Sequence, residues 1–120
     1  MGIRNKLESI RCLRYRAEIR RQQARQAARM RERYGWSAVA WDRIHAELLA
    51  LAEGYEARIR AAVACIDRLP EPARTVERLY WVDGLPVLKI ADQLFYSERN
   101  IRRIHQAAVK QMEVEAVRKQ

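Results

Sequence analysis

Apolar residues recur every three or four positions over most of the chain, the period of an amphipathic helix. Ile3, Leu7, Ile10, Leu13 and Ala17 open the first stripe, and with no Gly or Pro to interrupt it the pattern predicts a helix over residues 3–33. Beyond Ile19 the stripe thins to Ala24, Ala27, Ala28 and Met30. Small side chains pack weakly, so this distal part is expected to be a slender coiled-coil strand or a mobile basic arm. Tyr34, Gly35, Trp36 and Ser37 read as a turn, with Gly35 expected at positive φ behind the helix and Ser37 placed to cap the next one.

The second helix, predicted over residues 37–69, has the clearest periodicity: Trp41, Ile44, Leu48, Leu51, Tyr55, Ile59, Ala62, Ile66 and Leu69. Steps of three and four alternate as in a heptad repeat, with a phase change near Tyr55, beside Gly54. Such a helix needs a partner. The first helix supplies one through an antiparallel hairpin, and the weakness of its stripe leaves room for dimerisation by the second. Pro70 then opposes continuation and Pro72 suits the first turn of a new helix, so short helices are expected over 72–82, closed by Asp83 and Gly84, and over 86–94. Ser97 is placed to cap a last helix running to about residue 117, with Ile101, Ile104, His105, Ala108 and Met112 inside.

Composition narrows the class. The 120 residues are 49% hydrophobic and 32% charged, with only 4 Gly and 3 Pro, which opposes a turn-rich β-protein and predicts an all-α chain too short for most two-domain enzymes. The division expected is 1–69 for the hairpin and 70–120 for a C-terminal module. No apolar run approaches the roughly 18 to 20 residues of a membrane span, and Arg4, Lys6, Glu8 and Arg11 precede any apolar core of a secretory signal, so the cytoplasm is the expected compartment. Cys12 and Cys65 are expected to be buried thiols, and their spacing to His45 and His105 matches no metal site. No phosphate-binding loop or acid–base constellation is present, so neither catalysis nor a cofactor is expected.

Charge points to the partner. The formal net charge is +9, suited to a polyanion, and it is concentrated at the ends. Residues 1–33 carry 11 basic against 3 acidic side chains and residues 98–120 carry 6 against 3, while the middle is close to neutral. The run from Arg11 to Arg33 fits phosphate contacts, an RNA-binding helix or a solvated coiled-coil surface. Trp36, Trp41 and Trp81, with Tyr34, Tyr55 and Tyr80, are expected to pack in the core and at the hairpin tip rather than to stack on bases.

Residues 87–112 have the pattern of a helix-turn-helix. Two short helices that cross steeply need a small residue where they touch, and Ala91 is that residue. Ile90 and Leu94 flank it, Tyr96 follows the turn, and Ile101 and Ile104 anchor the second helix. Its outer face carries Glu98, Arg99, Asn100, Arg102, Arg103, Gln106 and Lys110, the polar, cation-rich surface that a major groove requires. Glu98 also fits a favourable acidic first-turn position with no other partner.

The stretch from Leu69 and Pro70 through Val76-Glu77-Arg78-Leu79-Tyr80-Trp81-Val82-Asp83-Gly84-Leu85 to Ile90-Ala91-Asp92-Gln93-Leu94-Phe95-Tyr96-Ser97-Glu98-Arg99-Asn100-Ile101 resembles region 4 of sigma-70-type RNA polymerase sigma factors. It is most similar to phage and prophage proteins in which that module follows a helical hairpin. The resemblance covers residues 69–112 and implies a transcription regulator that reads double-stranded DNA. Matched position by position, Glu98, Arg99, Arg102, Arg103 and Gln106 would enter the groove and Ser97 would lie near the backbone. It also implies RNA polymerase as a partner, and the hairpin is expected to mediate a homo-oligomer, a dimer. Two positions depart from the pattern. Phe95 stands where the turn usually has Gly, so the turn either bears strain or takes another geometry, and Pro86 replaces the usual Ser or Thr cap. Two alternatives are a DNA-recognition component of phage packaging, resembling a small terminase and assembled as a ring, and a sigma-like adaptor that binds polymerase without reading DNA.

Overall fold

A computed structural model describes residues 2–118, which are mostly helical with no strand among them. The helices are α1 (Ile3–Glu8), α2 (Ile10–Arg33), α3 (Ala38–Asp67), α4 (Ala73–Glu77), α5 (Val87–Leu94) and α6 (Glu98–Arg118). Among the described residues, no helix is long and apolar enough to cross a membrane. The residues up to Arg11 and from Arg60 onward form one compact unit, and Cys12–Ile59 forms the other. These units are divided differently from the expected 1–69 and 70–120, because α1 packs on α6.

The single helix expected over residues 3–33 is interrupted at Ser9, where φ is −79° and ψ −12°. The Ser9 hydroxyl donates to the Lys6 carbonyl at 2.8 Å, a side-chain bond that competes with the helical ladder. Gly35 does not take the expected positive φ. Gly35–Ser37 instead form a 3₁₀ turn, which stays right-handed and does not need glycine, and the Ser37 hydroxyl donates to the Tyr34 carbonyl. Positive φ occurs at Gly84 (71°) and Phe95 (59°). At Gly84 an added Cβ would collide with the Arg11 guanidinium, so both backbone and space favour glycine there.

In the first unit, Leu7, Ile10, Ile66, Leu69 and Met112 are fully buried. Around α5 a second cluster joins Val76, Ile90, Ala91 and Ile101, with Leu79, Leu94 and Ile104 against it. At the start of α4 the Glu71 carboxylate accepts from Thr75 Oγ1 and from Arg74 Nε. These bonds, Thr75 first, hold its pKa below the ordinary carboxylate value. The expected helix over 72–82 begins as α4 and ends as a π-helical turn, Arg78–Val82, in which the Asp83 N–H reaches back five residues to the Arg78 carbonyl at 3.1 Å.

In the second unit, Ala24, Ala27 and Ala52 are buried, and two ion pairs join α2 to α3, Arg21–Glu56 at 2.5 Å and Arg31–Asp42 at 2.7 Å. The pairings run in opposite sequence directions, as between antiparallel neighbours. Glu56, through its hydrogen bond, raises the Arg21 pKa above its ordinary value. Three expectations are corrected in the two units. Cys12 is exposed and Cys65 half-buried, both as free thiols, because the buried line of α2 runs through Ile10, Leu13 and Ala17 and places Cys12 about 100° away. Trp36 is 88% exposed rather than packed, whereas Trp81 is buried. On α3, Ile44 and Leu51 lie 40% and 47% exposed, on the flank of a stripe whose Trp41, Leu48, Tyr55 and Ile59 are half-buried beside the fully buried Ala52.

Candidate nucleic-acid interface

The surface of α6 follows from the period of its sequence. Ile101, Ala108 and Met112 are buried, seven and four residues apart, so they share one side of the helix. Arg99, Arg103, Gln106 and Lys110 step by four, three and four along the opposite side, and all four are exposed. Arg102 and Glu98 flank them and are also exposed, and Asn100 is half-buried. Ser97, Arg99, Asn100, Arg102, Arg103 and Gln106 line one shallow concavity at the start of the helix. All eight candidate residues therefore fall on α6 or its cap, and the face is not sequestered.

Three features of the turn present this face. Helix α5 begins after Pro86, which provides no side-chain cap, and ends at Leu94. Phe95 takes the left-handed conformation, φ 59° and ψ 36°, with its N–H on the Ala91 carbonyl, and the Tyr96 N–H reaches the same carbonyl at 3.0 Å. Of the two geometries open to a non-glycine turn, the chain therefore adopts the strained one, at about 1 to 2 kcal/mol. Ser97 Oγ accepts the Asn100 N–H at 3.1 Å, satisfying a donor that the first turn of α6 would otherwise leave unpaired.

The polar side chains already make local bonds. Glu98 accepts from Arg102 Nη2 at 2.5 Å, and Asn100 Oδ1 accepts from Arg103 Nη2 at 2.7 Å. Both contacts are exposed, and pairs of this kind contribute only about 0 to 1 kcal/mol, so they preset the guanidinium groups without locking them. Glu98 thus has a side-chain partner beyond the helix dipole. Chemically, arginine can donate two bonds to guanine O6 and N7, asparagine or glutamine can pair with adenine, and serine, lysine and arginine can hold phosphates.

A buried network beneath this helix has no counterpart in the sequence reading. Glu77 is fully buried; its Oε1 accepts from Trp81 Nε1 at 3.2 Å and its Oε2 lies 2.8 Å from His105 Nδ1. The Tyr80 and His105 rings meet at a tilt of 41° with centroids 4.3 Å apart, and Tyr80 meets Trp81 edge-on at 4.7 Å. His105 is accordingly the satisfied inner histidine expected from its place on the stripe. A buried carboxylate without such partners would cost several kcal/mol, so the network ties α6 to the end of α4. The four-residue spacing of Glu77 and Trp81 was a legible signal; the approach of His105, 28 residues on, was not. Compared with known proteins, the chain matches no family model, no curated protein and no solved structure.

Proposed function

We propose that this chain is a sequence-specific DNA-binding transcription regulator in which α5, the turn at Phe95 and α6 act as a helix-turn-helix and α6 enters the major groove. The observation that carries the reading is the exposed face from Arg99 to Lys110, directly opposite the buried stripe of the same helix. A face that is polar, cationic and held on a packed, capped helix can reach base edges with little ordering cost. The resemblance of residues 69–112 to sigma region 4 supports the same assignment and favours a phage or prophage origin, work in the cytoplasm and RNA polymerase as a further partner. The two long helices, α2 and α3, form a hairpin for protein contacts.

The test starts by selecting a preferred duplex from a random library, because the target sequence is unknown. On that duplex, Arg102→Ala and Arg103→Ala should each weaken binding by about 1 to 3 kcal/mol with helical content retained. Unchanged affinity in both variants rejects the groove face. A protein that binds polymerase and no duplex rejects DNA reading in favour of an adaptor.

A further inference from the structure

We infer that Arg11, from the N-terminal segment, is a phosphate-contacting residue of the helix-turn-helix and holds the duplex backbone at the start of α5. The inference deepens the function proposed above and rests on it for the duplex. In the sequence Arg11 opens the basic run that ends at Arg33. Folding separates it from that run, because the first compact unit ends its N-terminal stretch at Arg11 and resumes at Arg60. Arg11 therefore belongs with α5 and α6, far along the chain, while the arginines that follow it up to Arg33 belong to the other unit.

The seat of Arg11 is Gly84. Its Cζ and Nε lie 2.6 and 2.9 Å from the point where a Cβ on Gly84 would stand, so the guanidinium fills the space that any other residue's side chain would take there. Leu7, Tyr80, Trp81 and Pro86 line the same concavity. Packed in this way, the group has little freedom left to lose on meeting a ligand. Its donors are nevertheless unspent: among the described residues Arg11 makes no hydrogen bond or ion pair. Two carboxylates are near, Glu8 in the same concavity and Asp83 next to Gly84. Both are exposed, as Arg11 is, and neither pairs with it.

The place of this group on the module decides what it meets. The first helix of a helix-turn-helix crosses the sugar–phosphate backbone while the second reads the groove. Helix α5 has 8 residues, a length of about 12 Å, and the major groove is about 12 Å wide. With the end of α5 at the turn before Ser97 and α6 in the groove, the start of α5 at Pro86 reaches the rim along which phosphates run. Gly84 stands two positions before Pro86, so Arg11 is at that rim, and Lys89, exposed in the first turn of α5, adds a second cation. A planar guanidinium fork matches two phosphate oxygens, whereas an apolar partner would leave its donors unpaired.

Salt titration of the full chain tests this, on the selected duplex and on an unrelated one. Arg11→Gln should flatten the dependence of log affinity on log salt by about one counterion and, near 150 mM salt, weaken both duplexes alike by roughly fivefold. Lys89→Gln should act in the same direction. Arg29→Gln removes the same charge from the other unit and should leave the slope unchanged. Should Arg11→Gln lose helical content, Arg11→Lys decides: it keeps the charge but not the fork, and must still weaken both duplexes at least about twofold. An unchanged slope in Arg11→Gln, an equal change in Arg29→Gln, or a loss confined to the selected duplex overturns the inference. A wild type that binds no duplex removes the function proposed above and this contact with it. If the wild type binds and Arg102→Ala and Arg103→Ala weaken it while Arg11→Gln changes nothing, this contact alone falls.

Discussion

Phe95 holds a left-handed backbone at φ 59° while its ring is 94% exposed. Glycine reaches that conformation without steric cost and would give up almost no packing. Phe95→Gly is therefore expected to stabilise the fold by about 1 kcal/mol, seen as a higher urea midpoint; a lower midpoint would show that the ring makes a stabilising contact. That this turn lacks its usual glycine was legible, because the residue type and its place after α5 are local facts, but which of the two open geometries it takes was decided only by the structure. Glu77 follows the opposite logic. In the sequence it is one more helical carboxylate, and only folding places it, fully buried, against Trp81 and His105.

Helices α5 and α6 were read closely because their ends are marked by local chemistry: Pro86 before α5, Ser97 capping α6, and apolar positions in phase between them. Their crossing depends on one small side chain. Ala91 is 4% exposed and shares its cluster with Val76, Ile90 and Ile101, so Ala91→Leu should overpack the crossing and cost about 1 to 3 kcal/mol. An unchanged thermal midpoint would mean that the helices meet elsewhere. The break at Ser9 and the π-helical turn after Glu77 were not legible. Each turns on a competing hydrogen bond, to the Lys6 carbonyl in one case and from Asp83 to Arg78 in the other, which leaves the three-four pattern of side chains nearly unchanged.

Across the whole molecule, a net charge of +9 makes binding to a polyanion a matter of salt. With Arg99, Arg102 and Arg103 assigned to the groove, Lys110 is the α6 cation left for a phosphate, and Lys110→Ala should flatten the dependence of log affinity on log salt by about one counterion while weakening all duplexes alike. A slope near zero would exclude phosphate contacts. The helical class, the cap at Ser97, the turn at Phe95 and the cationic side of α6 could be read before folding, because each depends on neighbours within about one turn of helix. Which stripe of α3 is covered, that Cys12 and Trp36 face solvent, that α1 belongs with α6 and that Glu77 finds His105 were settled by tertiary structure alone. Those outcomes depend on which surfaces distant segments bring together: on α3 it is Ala52 that becomes fully buried, while Ile44 and Leu51 of the apolar pattern stay at the exposed flank.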